Sequence, residues 1–211
     1  MHNFQYVPRS EYLPVKKELE KLINEVQDEV REHFTFSFTY VGSTHRKLIT
    51  SELNGNTGYD FDVNIHVNYD EGEYSAEEIR TIIREAFNRQ VRQYGYDYCE
   101  DSTRVLTIKR KDFFRSRIIS SCDFAIVFDC DDGRQQYIHF NKNQRTYDWE
   151  YLPMSNSELE TRAEWIRKNG HWNDVRELYL DKKNCNNNPD KRSRSLYAET
   201  INEVYKRFFR G

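Results

Sequence analysis

Apolar residues recur at helical spacing between residues 11 and 33, where Leu19, Leu22, Ile23, Val26 and Val30 stand among Glu and Lys, and they predict an amphipathic helix. The period then drops to two. Phe34, Phe36, Phe38 and Tyr40 alternate with Thr35, Ser37 and Thr39, the signature of a half-buried strand, and this strand ends at Gly42-Ser43. Residues 43–50 read as a short helix or turn, and 51–58, with two Gly and two Asn, as a polar loop. Alternation returns from Tyr59 to Val67. Tyr59, Phe61, Val63, Ile65 and Val67 face a core, and Asp60, Asp62, Asn64 and His66 face the other way.

Downstream, residues 70–73 read as a turn, and Ser75-x-x-Glu78 is a capping box. The helix it opens presents Ile79, Ile82, Ile83, Ala86 and Phe87 on one stripe and ends near Tyr94-Gly95, where Gly suits a C-cap. Strands are expected over 105–110, within 115–128 and over 137–140, with Asp131-Asp132-Gly133 turning between the last two. A second capping box, Ser155-x-x-Glu158, opens a run of helices over 156–169, 174–183 and 195–209, with an Asn-rich mobile loop at 184–194. Strands mixed with helices, without strict alternation, predict an α+β fold in which helices pack on one face of a mixed sheet. Residues 1–153 form the expected core and 154–211 a C-terminal helical segment.

Composition narrows the picture. The 211 residues fit one domain with a small appendage, and a 37% hydrophobic content is offset by 15 Tyr and 13 Phe, which bury large areas each. A net charge of −3 argues against a globally basic nucleic-acid binder, although Lys109, Lys111, Arg115 and Arg117 form a local basic cluster suited to a triphosphate or a nucleic-acid backbone. The four Cys, at 99, 122, 130 and 185, lack zinc-ribbon spacing and read as reduced thiols. No apolar run approaches a membrane span and no basic-then-apolar leader opens the chain, so a cytoplasmic protein without a membrane partner is expected.

The chemistry concentrates at Gly42-Ser43 and at Asp60-Phe61-Asp62. Residues two apart on a strand share a face, so Asp60 and Asp62 stand side by side. Like charges so close repel, and a divalent cation relieves them; Mg²⁺ favours one or two carboxylates together with substrate phosphates. The Gly-Ser turn offers backbone N–H groups and a hydroxyl to a phosphate. Arg46 and Lys47 add positive charge there. His45 and His66 lie nearby and read as polar lining.

In these residues the sequence resembles the DNA-polymerase-β-like nucleotidyltransferase superfamily, whose signature is Gly-Ser at a strand end, Asp-x-Asp on the next strand, and a third carboxylate on a later one. The best third match is Asp123, in Ser121-Cys122-Asp123-Phe124-Ala125-Ile126-Val127, with Asp112 and Asp129 as competitors. The resemblance spans roughly residues 11–153. It implies a twisted mixed sheet backed by helices, and a reaction in which an acceptor hydroxyl attacks the α-phosphorus of an NTP (ATP or GTP) and pyrophosphate leaves. It implies Asp60, Asp62 and Asp123 as catalytic ligands of Mg²⁺ or Mn²⁺, with Asp123 on the acceptor side alone, and Gly42 and Ser43 as binders of the β- and γ-phosphates. The leading helix and the hairpin after Asp123 look like the branch of oligoadenylate synthases and bacterial cyclic-dinucleotide synthases of the cyclic GMP-AMP synthase type. An enzyme acting on an antibiotic, tRNA or protein stays open, as does a non-catalytic nucleotide sensor on the same fold. The acceptor is unknown, and nucleic acid remains among the candidates.

Overall fold

In the computed structural model of the chain, the described residues are 2–70, 72–153 and 157–209. Two compact units divide them. The larger holds residues 7–49 and 55–153; the smaller holds the first six residues, residues 50–54 and the C-terminal helices.

The larger unit is built on a seven-stranded mixed sheet. Helix α1 (Arg9–Val30) leads into β2 (Thr35–Val41), a five-residue helix α2 (Gly42–Arg46) and β4 (Tyr59–Asn68). Helix α3 (Ala76–Gln90) follows, extended by a 3₁₀ turn to Tyr94. Then come β5 (Cys99–Asp101), β6 (Leu106–Asp112), β7 (Arg117–Asp129), β8 (Gln135–Asn141) and β9 (Thr146–Tyr151). The strands run in the order β2-β4-β7-β6-β5, and β8 and β9 continue beside the far end of β7. The β4–β7 pair is parallel, and all other pairs of this sheet are antiparallel. Strand β7 is the axis of the sheet: along one edge it pairs with β4, and along the other first with β6 and then with β8.

The alternation read in the sequence decides which face is covered. Tyr59, Phe61, Val63, Ile65 and Val67 of β4 are all buried, with Cys122, Phe124 and Ile126 of β7 and Leu106 and Ile108 of β6. Leu19, Leu22, Ile23, Val26 and Val30 of α1, and Ile79, Ile83, Ala86 and Phe87 of α3, join them in one core, where the Phe87 and Phe124 rings lie 4.4 Å apart. The Ser75–Glu78 capping box forms as read, with the Ser75 side chain accepting from the Glu78 N–H. Ile82 is only partly buried, and the inward place in that turn goes to Arg80. Its guanidinium pairs with Asp101 at 2.6 Å and donates to the carbonyls of Ser102 and Val105, so α3 is tied to the β5–β6 connection.

The smaller unit contains a two-stranded sheet of β1 (Phe4–Tyr6) and β3 (Thr50–Glu52), and helices α4 (Ser157–Lys168), α5 (Trp172–Cys185) and α6 (Ser193–Phe208). Neither β1 nor β3 was expected, because three residues are too few for a periodicity to show. Strands β5 and β9 were missed as well. Ser155, the capping residue expected for α4, lies outside the described residues. The segment read as a loop at 184–194 begins inside α5 and is folded on itself, with Asn186 Nδ2 donating to the carbonyls of Asn188 and Lys191. Among the described residues no helix is long and apolar enough to cross a membrane.

Candidate active site

With α1 and α3 on one face of the sheet, the opposite face carries the polar members of each alternation. Asp62 of β4 stands directly beside Asp123 of β7, and Asp60 beside Ser121. On the next strand, Thr107 stands beside Asp123 and Lys109 beside Ser121. On the side of β2, Val41 stands beside Asp62, and the chain turns there into α2. The three carboxylates expected from the sequence therefore share one face, on two adjacent strands, next to Gly42-Ser43.

Gly42 is held there by geometry. Its φ is +58°, and a Cβ at this position would fall inside contact distance of Asp62 Oδ2. Only glycine lets the turn come so close to the carboxylate. The backbone N–H of Ser43 donates to the Asp62 carboxylate. Ser43 lies inside α2, with Val41 in the N-cap position, and its carbonyl accepts from the Leu48 N–H at 2.9 Å.

Burial, with the charges of Asp123 and Asp60, pushes the Asp62 carboxyl up to about 6; the Ser43 N–H and Arg46 oppose the rise without cancelling it. Asp123 is also raised, first by burial and then by Asp60, against the hydrogen bond that Thr107 Oγ1 donates to it at 2.6 Å and the charge of Lys109. Asp60 accepts a bond from Ser121 Oγ. Each carboxylate is thus turned to a donor of its own. Among the described residues no three metal-ligating side chains are drawn together into a ready chelate. The donor set nevertheless fits Mg²⁺ or Mn²⁺: it consists of hard carboxylate oxygens crowded onto one face, two of which, on Asp62 and Asp123, are raised by burial and by neighbouring carboxylates.

The competitors of Asp123 lie elsewhere. Asp129 shares its face but sits six residues on, roughly 20 Å along the strand. It accepts from His66 Nδ1 at 2.8 Å and from Gln135 at 2.6 Å; burial works to raise its carboxyl, but these bonds outweigh that and hold it below the usual range. His66 Nε2 in turn contacts Thr39 Oγ1 at 2.8 Å, so this histidine belongs to a separate polar row. Asp112 is at the end of β6, beside Arg117 and Arg115. The basic cluster is paired with three acids: Lys109 with Glu100, Lys111 with Asp97 at 2.8 Å, and both Arg115 and Arg117 with the one carboxylate of Asp112. Ser121, Thr107 and Glu100 escaped the sequence reading. Ser121 could have been found two residues before Asp123, and Thr107 from its alternation with Leu106 and Ile108. Glu100 lies on β5, which gives no periodic signal.

No protein-family model matches the sequence, and no curated protein does either. Solved structures do match. The CD-NTase CdnG of Bradyrhizobium diazoefficiens, in complex with GTP, aligns over 76% of this chain and 43% of its own at a TM-score of 0.53 and 14% identity. The Vibrio cholerae DncV cyclic AMP-GMP synthase, in complex with nonhydrolyzable GTP, aligns over 94% of this chain and 53% of its own, with a TM-score of 0.60 and 15% identity. The fold is that of the bacterial CD-NTases. DncV in complex with the linear intermediate 5′ pppA(3′,5′)pG aligns in the same way, at a TM-score of 0.56 and 14% identity. The chain spans about half the length of these CD-NTases. At such identities the likeness speaks to the fold, a nucleotidyltransferase fold with a mixed sheet, and leaves the chemistry to be argued from the side chains.

Proposed function

We propose that this protein is a metal-dependent nucleotidyltransferase that moves a nucleoside monophosphate from an NTP to an acceptor hydroxyl, and that the acceptor is a second nucleotide, giving a linear or cyclic oligonucleotide messenger. The observation that carries the reading is the register of β4 and β7, which puts Asp62 beside Asp123 and Asp60 on the same open face, against the Gly42-Ser43 turn. The likeness to structures described as binding GTP and a linear dinucleotide intermediate supports nucleotides on both sides of the reaction.

Asp60 and Asp62 hold Mg²⁺ or Mn²⁺ from β4, and Asp123 from β7. Bound there, the cation supplies charge neutralisation for the attacking and leaving oxygens. Gly42 brings the backbone close enough to meet the β- and γ-phosphates, and the Ser43 N–H, given to Asp62 in the free protein, points into the same space. Thr107 fixes the Asp123 carboxylate by its hydrogen bond, which leaves the other oxygen for the acceptor. Asp123 then orients the acceptor hydroxyl and receives its proton. Pyrophosphate departs from the side of the turn, and the chain contributes position and charge without a covalent intermediate. The cytoplasm, with its NTP pool, is the compartment this chemistry needs.

The test is incubation of the protein with each labelled NTP and Mg²⁺ or Mn²⁺, with no added acceptor. A nucleotide-only product supports the messenger reading. Self-labelling would redirect the assignment to protein modification, and NTP binding without pyrophosphate release would leave a nucleotide sensor on the same fold.

A further inference from the structure

Two charged side chains share the face of the three aspartates without a part in the reaction above. Lys109 stands beside Ser121 in the β6–β7 register, and Glu100 beside Thr107 in the β5–β6 register. Ser121 and Thr107 are the residues that donate to Asp60 and Asp123. Lys109 and Glu100 form an ion pair one to two strands beyond Asp123, on the side away from the Gly42-Ser43 turn.

Both members of the pair are half-buried, and such a pair adds little to folding. Its larger effect is on the field over the carboxylates. Without Lys109, Glu100 is a fourth acid beside three that already repel. Without Glu100, the ammonium of Lys109 is free to turn to Asp123, whose carboxyl already feels its charge.

We propose that the Lys109–Glu100 ion pair sets the divalent-cation affinity of the Asp60–Asp62–Asp123 cluster, Lys109 keeping Glu100 from acting as a fourth acidic group and Glu100 keeping Lys109 off Asp123. This rests on the reading that the three aspartates hold such a cation. The physical basis is Coulombic: a unit charge one or two strands away from a divalent ion, on a partly solvated face, changes its affinity by about fivefold. The two members act with opposite sign.

The experiment measures Mn²⁺ binding to the nucleotide-free protein, from the loss of the free-ion electron paramagnetic resonance signal. Glu100→Gln is expected to weaken Mn²⁺ by about fivefold, and Lys109→Met to tighten it by about as much. The double variant should return to within about twofold of the parent, because the two changes in charge cancel. Raising the NaCl concentration should shrink both single-variant shifts. A merely structural pair moves both single variants in the same direction, and that result, or two unchanged affinities, overturns the proposal while leaving the metal site in place. A parent protein that binds no Mn²⁺ overturns the metal reading and this inference with it.

Discussion

Asp62 carries an electrostatic load whose cost can be measured. Its carboxyl rises from 3.8 to about 6 because burial and two neighbouring aspartates disfavour the ionised form. A group raised in this way stabilises the fold fully below its ordinary value, and the contribution is lost as pH climbs through about 6. Metal-free protein should therefore lose about 1–2 kcal/mol between pH 4 and pH 7, less than the full shift implies because water reaches part of the site. Asp62→Asn should match the parent at pH 4, exceed its stability by about that amount at pH 7 in EDTA, and bind no divalent cation tightly. Urea midpoints at the two pH values decide it; an equal gain at both would mean that charge is not the cause. Gly42 behaves in the opposite way. Gly42→Ala meets both a left-handed φ and the Asp62 carboxylate, and should cost about 2 kcal/mol or more while lowering NTP affinity. Gly133→Ala, where φ is +79° and nothing lies within 4 Å of the added Cβ, isolates the backbone part of that cost. Equal losses at the two glycines would show that Asp62 yields freely to the turn.

At the scale of elements, the long strands were legible because each buries one face, so that period two appears without ambiguity in β2, β4 and β7. The third carboxylate was harder. Asp123 and Asp129 share a face of β7, and nothing in the sequence says which part of that strand meets the Asp60–Asp62 part of β4. The parallel register sets Asp123 beside Asp62, and Asp129 against His66 and Gln135. Arg80 was illegible for a different reason. A charged residue on a helix reads as solvated, yet 1% of it is exposed, because Asp101 and two carbonyls from the β5–β6 connection compensate it. Long-range partners of that kind leave no local pattern. The register makes a functional claim as well. Asp123→Asn should keep much of the affinity for the Mg²⁺-bound NTP and lose single-turnover transfer by about a hundredfold or more, as expected for an interaction made mainly in the transition state. Asp129→Asn should leave the transfer rate within about threefold. The reverse pattern would show that the acceptor is handled at the other end of β7.

At the scale of the whole molecule, the chain is threaded so that its first strand belongs with its last helices. That could not be read from the sequence, where residues 1–6 show no period and the C-terminal helices show their own. The link is a set of contacts within the smaller unit. The Asn184 side chain accepts from the Phe4 N–H at 2.6 Å and donates to the Phe4 carbonyl at 3.2 Å, standing in for a neighbouring strand along the free edge of β1. Tyr6 OH donates to the Arg176 carbonyl at 2.7 Å, and the Arg176 guanidinium lies 3.9 Å from the centre of the Tyr6 ring. Lys183 Nζ donates to Thr50 Oγ1 at 2.6 Å, so α5 holds β3 as well as β1. Asn184→Ala removes two hydrogen bonds at once and leaves a strand edge unpaired, which should cost about 1–2 kcal/mol. The three tryptophans allow that loss to be located: Trp165 and Trp172 lie in the smaller unit and Trp149 in the larger, where it packs on Phe128 and Tyr69. In a Trp149→Phe background, fluorescence reports the smaller unit alone, and Asn184→Ala should lower its urea midpoint. In a Trp165→Phe/Trp172→Phe background the same substitution should leave the midpoint of the larger unit, and with it the sheet that carries Asp60, Asp62 and Asp123, where it was. Equal shifts in both backgrounds would mean that the two units unfold as one cooperative body, and that the strand at the start of the chain supports the sheet carrying the three aspartates.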